Sequence, residues 1–318
     1  MKTVDLFAGC GGLSLGFQKE NFEIQAAFDN WPPAINIYQD NFDHKVYNMD
    51  LSNTDEVLKI ISSLSPEIII GGPPCQDFSS AGKRDETLGR ADLTISFAEI
   101  ITSIKPKWFV MENVARITKS NILTTTIDMF KAHNYGLTQE TLDASLCGVP
   151  QKRKRFFLIG RLNGADNELA YYLDKNLAKT PMTLYDYFGS TLGVEHYYRH
   201  PRSYQRRGIF SIYEPSPTIR GVNRPMPQNY NKHSGDTCAP SSNVQALTTR
   251  ERAAIQTFPE NFILRGTKTN LEQAIGNAVP VELSRFVAKA IKEFEANKKN
   301  GNTTSVAVDK KGQLKLKI

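Results

Sequence analysis

Short apolar runs alternate with amphipathic segments along residues 1–160 of the chain. A short apolar run between polar turns is typical of a buried strand, whereas apolar positions three and four residues apart are typical of a helix. The runs that predict strands are residues 3–7, 24–28, 46–49, 68–70 and 108–111. Strands that alternate with helices form right-handed βαβ units, so the pattern predicts an α/β fold with a doubly wound parallel sheet.

The pattern changes after residue 180, where helical periodicity fades and proline and glycine interrupt short β-prone pieces. We therefore expect a first domain over residues 1–180 and a smaller, irregular, β-containing domain over residues 181–246. Residues 247–296 return to helical periodicity and are expected to complete the first domain. Residues 297–318 are polar and rich in lysine, which predicts a loosely held basic tail.

Charge is distributed unevenly along the 318 residues, which carry a formal net charge of +6. The whole excess lies between His196 and His233, where seven basic residues accompany one acid and aromatic residues are interleaved. Clustered arginines beside rings that can stack suit a nucleic acid whose base edges are read, although a solvated basic loop has the same composition. With no apolar run of membrane-spanning length and no signal peptide, we expect a soluble cytoplasmic protein that does not contact a membrane.

A glycine-rich loop, residues 7–12, joins the first predicted strand to a helix. Closely spaced glycines let a ligand approach a helix N-terminus, which favours a nucleotide-type cofactor, although a tight turn alone has the same sequence. Asp29 and Asp50 end the next two strands, where they could bind a ribose and an adenine amino group, or could cap helices. Cys10 lies in the glycine loop, so we do not expect it to be an ordinary buried cysteine.

The fourth predicted strand ends in two glycines and two prolines, and the next residue is Cys75. A thiol on a rigid exposed turn is a candidate nucleophile, which a positive field from Arg153 and Arg155 could activate. Glu112 ends the fifth strand, where burial could raise its pKa for proton donation, or where it could pair structurally with an arginine. Because the carboxyl ends of parallel strands meet at one edge, we expect these residues to converge with the glycine loop.

Six segments, in order, resemble the motifs of the C5-cytosine methyltransferase family. They are residues 7–12 (FAGCGG), 72–79 (GPPCQDFS), 112–114 (ENV), 151–155 (QKRKR), 250–259 (RERAAIQTFP) and 273–280 (QAIGNAVP). The resemblance implies a Rossmann-like methyltransferase fold that uses S-adenosylmethionine, with residues 181–246 as a target-recognition domain across a DNA cleft. It implies a cofactor pocket lined by Phe7, Gly9, Gly11, Gly12, Leu13, Asp29, Asp50, Leu51, Pro73 and Asn277.

The resemblance also implies a chemistry without a metal, in which S-adenosylhomocysteine is the product. Cys75 would add to C6 of a cytosine flipped out of duplex DNA, and Glu112 would protonate N3. Arg155 would hold O2 of the base, and Arg153 would support Cys75. The candidate DNA-binding residues are Ser79, Arg206, Arg207, Arg220 and Arg224.

We therefore expect a monomeric bacterial DNA (cytosine-5-)-methyltransferase that acts on a short duplex site. A restriction-modification role with a cognate endonuclease is expected, and a solitary enzyme is the alternative. Two other functions are kept open: a tRNA cytosine-5 methyltransferase, and a DNA-binding regulator that keeps the fold without turnover. The arginine-rich recognition segment favours DNA, and the intact Cys75, Glu112, Arg155 and Asn277 weigh against an inactive regulator.

Overall fold

The computed structural model describes residues 1–74, 93–203, 205–300, 305–308 and 314–317, with side chains up to residue 300. Within these residues the strands are β1 (Lys2–Leu6), β2 (Glu23–Asp29), β3 (Lys45–Asn48), β4 (Ile68–Gly71), β5 (Trp108–Val114), β6 (Tyr135–Asp143), β7 (Gln151–Lys152), β8 (Lys154–Leu162), β9 (His196–Tyr198), β10 (Ile209–Ser211), β11 (Ser216–Pro217), β12 (Ser305–Val308) and β13 (Leu314–Lys317). The α-helices of the same ranges are α1 (Gly12–Lys19), α2 (Pro32–Gln39), α3 (Thr54–Leu64), α4 (Leu93–Ile104), α5 (Asn121–Ala132), α6 (Ala170–Asp174), α7 (Leu184–Phe188), α8 (Thr249–Ile255), α9 (Lys268–Asn277) and α10 (Val281–Lys299).

The main sheet of the described chain has the strand order β3-β2-β1-β4-β5-β8-β6. Strands β3, β2, β1, β4 and β5 run parallel to one another, which confirms the predicted doubly wound α/β fold. The order reverses between β1 and β4, and ligands of such sheets bind in the crevice at this switch point, outside the carboxyl ends of the strands. The glycine loop follows β1 and the proline turn follows β4, so both flank this crevice.

Beyond the five predicted parallel strands, the sheet contains one strand of opposite direction, because β8 runs antiparallel to both β5 and β6. Residues 144–153 join β6 to β8 and contain a short 3₁₀-helix in place of a crossover α-helix. Antiparallel neighbours need only such a short link, whereas parallel ones need a longer crossover. As a result β8 begins at the edge where β5 ends, and Arg155 is paired in register with Val114.

Helices cover both faces of the sheet. Side chains of α1, α6 and α10 form one apolar cluster with the sheet, and side chains of α3, α4 and α5 form another on the opposite face. Helices α1 and α10 approach closely because residue 16 is glycine: a Cβ atom there would lie 2.4 Å from Cβ of Ser284. The C-terminal helix α10 is thus part of the layer that packs on the sheet.

Residues 181–246, which we call the recognition region, contain short strands and the single-turn helix α7. Strands β9 and β10 pair antiparallel, and β11 pairs parallel with β7, just ahead of β8. Buried Tyr197, Phe210 and Ile219 belong to one apolar cluster with residues of α2, α8 and α9. The recognition region therefore packs directly on helices that flank the glycine loop.

Beyond α10, β12 and β13 pair antiparallel, with Ser305 opposite Lys317 and Val308 opposite Leu314. The polar composition of the tail did not predict this pairing. Among the helices of the described ranges, none has the length and apolar character needed to cross a bilayer.

Candidate active site

The glycine loop between β1 and α1 is fixed on one side and open on the other. Gly9 and Gly11 have φ angles of 56° and 92°, in the left-handed region that glycine adopts without strain. A Cβ atom on Gly12 would lie 2.2 Å from the carbonyl oxygen of Val279, so the loop packs on the segment that follows α9. A Cβ atom on Gly9 would meet no atom within 4 Å. The open side leaves room for a ligand to approach the backbone.

Asp29, at the end of β2, holds this loop in place. Its Oδ2 accepts a hydrogen bond from the Gly9 N–H at 2.8 Å, and its Oδ1 accepts one from the Trp31 N–H at 2.8 Å. Asp50 is exposed, and its Oδ1 accepts from the Ser52 N–H at 3.0 Å. Each carboxylate oxygen has a second lone pair, so both acids can shape the backbone and still accept hydrogen bonds from a ligand.

A buried chain of hydrogen bonds runs beneath the glycine loop. Asp5 Oδ2 accepts from Ser14 Oγ at 2.6 Å, Ser14 Oγ lies 2.6 Å from Tyr38 Oη, and Tyr38 Oη lies 2.6 Å from His44 Nε2. Asp5 is fully buried, and its Oδ1 has no hydrogen-bond partner within the described ranges. Burial is the main cause that raises the pKa of Asp5 to about 7.

This pKa predicts how stability depends on pH. Folded Asp5 keeps its proton up to about pH 7, whereas the unfolded chain releases it near 3.8. The stabilising contribution is therefore full below pH 3.8 and is lost as the pH rises through 7, with a slope of up to ~1.4 kcal/mol per pH unit. The asparagine in the isosteric variant Asp5→Asn cannot ionise, so the variant should lose this slope. As the pH rises from 5 to 8, its free energy of unfolding should therefore increase relative to that of the wild type.

Urea unfolding at pH 5 and pH 8 measures the difference. Asp128→Asn, at an exposed carboxyl of α5 remote from this chain of hydrogen bonds, serves as the control and should keep the wild-type dependence on pH. Parallel pH dependences for wild type and Asp5→Asn would show that Asp5 does not hold a proton in the folded chain.

Glu112 and Arg155 form a largely buried ion pair where the end of β5 meets the start of β8. Arg155 Nε lies 2.8 Å from Glu112 Oε1, and the two side chains are 15% and 11% exposed. Burial raises the pKa of Glu112 above its usual value, while the positive charges of Arg155 and Arg153 oppose the shift. Glu112 thus has both features that the sequence left as alternatives, a raised pKa and an arginine partner.

The proline turn that follows β4 begins beside this ion pair. A Cβ atom on Gly72 would lie 3.1 Å from Glu112 Oε2, and Asn113 Nδ2 donates to the Pro73 carbonyl at 3.0 Å. Pro73 is buried and Pro74 is exposed. The predicted nucleophile Cys75 and the predicted DNA contact Ser79 lie outside the described residues.

Arg153 is 1% exposed, and its guanidinium contacts backbone carbonyls. Nη1 donates to Ile219 at 3.0 Å, and Nη2 donates to Gly276 at 3.1 Å and Ala278 at 3.0 Å. Burial, followed by the charge of Arg155, lowers the pKa of Arg153 well below its usual value. Arg153 therefore ties the recognition region to the end of α9, a role that the sequence did not predict.

A basic cleft of about 500 Å³ lies in the recognition region beside β7. Its lining contains six basic side chains and one acid, and consists of Lys152, Arg199, Pro201, Arg202, Arg206, Arg207, Phe210, Glu214, Pro215, Pro217, Thr218 and Arg220. Burial and then the charge of Arg220 lower the pKa of Arg199 to about 10. This concentration of positive charge suits a polyanion.

The predicted DNA-binding arginines differ in how they are held. Arg207 lies 2.5 Å from Glu214 and stacks 4.2 Å from the ring centroid of Phe210. Arg220 Nη2 donates to the His200 carbonyl at 2.6 Å. Both therefore form part of the cleft wall.

Arg206 and Arg224 are exposed, and their guanidinium groups have no hydrogen-bond or ion-pair partner in the part of the chain that the structure describes. Arg206 lines the cleft, whereas Arg224 does not. Arg206 is thus the predicted arginine that is best placed to bind a ligand in the cleft.

Cys10 is buried, contrary to the prediction. It is 1% exposed, its Sγ lies 3.6 Å from the Ala274 carbonyl oxygen, and burial raises its pKa to about 12. A thiol with this pKa stays protonated near neutrality, so Cys10 packs as a small apolar residue.

Comparison with known proteins identifies the family. The model of the C-5 cytosine-specific DNA methylase family matches residues 1–293. The chain is 61% identical to the Type II methyltransferase M.HindV of Haemophilus influenzae, over 93% of this chain and 97% of that protein. It is 56% identical to the Type II methyltransferase M.HgiDI of Herpetosiphon aurantiacus, over 92% of this chain and 95% of that protein.

Solved structures share the fold at lower sequence identity. The S. pombe Dnmt2 methyltransferase matches with a TM-score of 0.67 and 17% identity, over 93% of this chain and 98% of that one. The Entamoeba histolytica methyltransferase EhMeth matches with a TM-score of 0.67 and 18% identity, over 94% and 98%. Because the family model matches 293 of the 318 residues of this chain, the chain belongs to the C-5 cytosine-specific DNA methylase family.

Proposed function

We propose that this S-adenosylmethionine-dependent DNA (cytosine-5-)-methyltransferase methylates C5 of a cytosine flipped out of a short duplex site, through a covalent adduct with Cys75. The observation that carries the proposal is the meeting of two features at the sheet's switch point. The open glycine loop follows β1, and the raised pKa of Glu112 belongs to a side chain that lies against Gly72 at the start of the proline turn. This arrangement supports a cofactor site at the glycine loop and a proton donor next to the turn that leads to Cys75.

Each catalytic residue has a role in one step of the proposed reaction. The Cys75 thiolate adds to C6 of cytosine while Glu112 gives its proton to N3, which turns C5 into an enamine carbon. S-adenosylmethionine supplies the electrophilic methyl group that C5 takes up. A base then removes the C5 proton and the C6–S bond breaks, which releases the thiolate, and N3 returns its proton to Glu112, so that the cytosine ring and the acid are both restored. Arg155, which keeps Glu112 in place, has further N–H groups for O2 of the base.

The geometry around the glycine loop fits an adenosine-bearing cofactor. Gly9 offers open backbone, Asp29 stands beside it for the ribose hydroxyls, and Asp50 is exposed for the adenine amino group. Asn277 is exposed at the end of α9 and accepts from Gln273 Nε2 at 3.1 Å. The other residues proposed to line the pocket are Phe7, Gly11, Gly12, Leu13, Leu51 and Pro73.

Transfer of a labelled methyl group tests the function directly. Purified protein with labelled S-adenosylmethionine should modify duplex DNA and leave tRNA unmodified, and bisulfite sequencing of DNA from an expressing host should locate the cytosine. Label on tRNA alone would show a tRNA methyltransferase. Binding of DNA without transfer would show an inactive regulator.

Arg206 should contribute to DNA affinity through its guanidinium, which lies in the basic cleft and has no partner among the residues that the structure describes. We expect Arg206→Gln to weaken duplex binding and to reduce the slope of log affinity against log salt concentration by about 1, since one phosphate contact is lost. Fluorescence anisotropy at several salt concentrations measures both effects. Lys59→Gln removes one exposed positive charge from α3 and should leave the slope unchanged. An unchanged slope in Arg206→Gln as well would remove Arg206 from the interface.

The biological setting forms part of the same proposal. Two relatives that match nearly the full chain are named Type II methyltransferases, which supports a restriction-modification role with a cognate endonuclease. We propose that the enzyme acts in the bacterial cytoplasm, because its substrate is cellular DNA, and that it acts there as a monomer.

A further inference from the structure

A short backbone segment separates the basic cleft from the glycine loop. We call residues 275–279, which end α9 and lead to α10, the connecting turn. On one side, a Cβ atom on Gly276 would lie 2.3 Å from the backbone nitrogen of Gly221 in the recognition region. On the other side, a Cβ atom on Gly12 would lie 2.2 Å from the carbonyl oxygen of Val279. The connecting turn therefore packs backbone to backbone against both sites.

Two buried amide side chains tie the recognition region to this turn. The Ile219 N–H donates to Gln151 Oε1 at 2.9 Å, and Gln151 Nε2 donates to Gln256 Oε1 at 2.7 Å. Gln256 Nε2 then donates to the carbonyls of Ile275 at 2.6 Å and Ala278 at 3.1 Å. Gln151 and Gln256 are both 0% exposed. The chain of hydrogen bonds is continuous from Ile219 to the connecting turn.

Arg153 links the recognition region to the connecting turn a second time, through the backbone carbonyl of Ile219. Its guanidinium bridges the Ile219 carbonyl to the carbonyls of Gly276 and Ala278. Both the N–H and the C=O of Ile219 are thus bound, through buried side chains, to the turn. Breaking any of these bonds without a replacement would leave a buried polar group unpaired, which is costly in a low-dielectric interior.

The two ends of this hydrogen-bond network lie at the two proposed binding sites. Thr218 and Arg220, on either side of Ile219, line the basic cleft. Asn277, between Gly276 and Ala278, belongs to the proposed cofactor pocket. If DNA displaces the cleft wall at Thr218 or Arg220 while the network stays intact, the connecting turn beside the cofactor pocket therefore moves with it.

We propose that Gln151, Gln256 and Arg153 are positioning residues that couple DNA binding in the basic cleft to cofactor binding at the glycine loop. The inference rests on the proposed function, since it takes DNA and S-adenosylmethionine as the two ligands. Coupling of this kind is reciprocal: each ligand changes the affinity for the other by the same factor, typically about 5- to 150-fold.

Binding measurements without turnover test the coupling. S-adenosylhomocysteine serves as the probe because it has no methyl group to transfer. Its dissociation constant is measured by calorimetry with and without a duplex that carries the site located by bisulfite sequencing, and the ratio gives the coupling factor. We expect a factor of at least about 5 for the wild type, and the same factor for duplex binding with and without S-adenosylhomocysteine.

The variant Gln151→Met/Gln256→Met replaces both amides with apolar side chains of similar length. It should bind each ligand alone but show a coupling factor below about 2, which is under the usual allosteric range. The control Thr138→Val removes a buried hydrogen bond to the Leu169 N–H, remote from the network, and should keep the wild-type factor. If the double variant does not fold, Gln151→Met alone replaces it and should lower the factor.

Three results would overturn the inference: a wild-type factor of 1, an unchanged factor in the glutamine variants, or an equal loss in Thr138→Val. Failure of the proposed function has a different signature, because the wild type would then transfer no methyl group to duplex DNA.

Discussion

Replacing Cys75 with serine will abolish methyl transfer, with a loss on the order of 10⁴ or more in rate, because catalysis by a covalent nucleophile fails when that nucleophile is removed. A serine hydroxyl has nearly the size of the thiol but does not ionise near neutral pH, so it cannot add to C6 as an anion does. Binding of S-adenosylhomocysteine and of duplex DNA should persist, since neither depends on the sulfur atom. Single-turnover transfer of labelled methyl, together with both binding constants, measures the effect.

A second readout separates covalent catalysis from loss of structure. Fluorine at C5 of the target cytosine prevents the proton loss that releases the enzyme, so wild-type protein should form a lasting covalent complex with such a duplex and Cys75→Ser should form none. The control is Cys147→Ala, which removes a buried thiol whose pKa burial raises to about 12. It should keep both transfer and complex formation. Methylation by Cys75→Ser would end the covalent mechanism.

The parallel part of the sheet could be predicted from local pattern, because each βαβ unit there has its own apolar strand and amphipathic helix. The direction of β8 could not be predicted in this way. Its residues are as apolar as those of a parallel strand, and its direction depends on the short link over residues 144–153. A parallel β8 would begin at the opposite edge from Glu112. The contact between Glu112 and Arg155 therefore depends on the antiparallel direction of β8, which the pattern of apolar residues does not predict.

The candidate site shows the same division between local and tertiary information. The positions of Gly9, Asp29 and Glu112 at one edge of the sheet could be predicted from the ends of the predicted strands, and their roles stay predictions. The sequence also contains a signal for Asp5, a carboxylate inside an apolar strand, but its raised pKa depends on Ser14 and on complete burial. The prediction for Cys10 is wrong because α9, which lies far along the chain, packs on the loop and buries the thiol.

Residues far apart in sequence also determine what each arginine does. Arg153 and Arg155 are two positions apart on one basic run, yet Arg155 pairs with Glu112 and Arg153 binds the carbonyls of Ile219 and the connecting turn. Arg206 and Arg207 are adjacent, yet only Arg207 is held by Glu214. Within each pair the two arginines have different roles, because their partners come from different elements of the fold. Composition alone cannot distinguish them.

Glu112→Gln should reduce the rate of methyl transfer by roughly 10²- to 10⁴-fold, the usual contribution of a positioned general acid. The amide can still donate a hydrogen bond, but it has no proton to give to N3. Protonated Glu112 is the active form in the proposed mechanism, and its pKa is raised by burial. The wild-type rate should therefore fall as the pH rises through that pKa, and the variant should lose this dependence.

Single-turnover rates across a pH series test both expectations at once. Glu140→Gln is a matched control, because Glu140 is paired with Phe157 in the same row of the sheet as Glu112, and burial raises its pKa too. Glu140 does not contact Arg155 in the described residues, so its variant should stay within about twofold of the wild type, as is usual for substitutions away from a site. A Glu112→Gln enzyme that keeps the wild-type rate and pH profile would show that another group protonates N3. A loss of equal size in Glu140→Gln would show that burial of charge in this row, and not proton donation by Glu112, controls the rate.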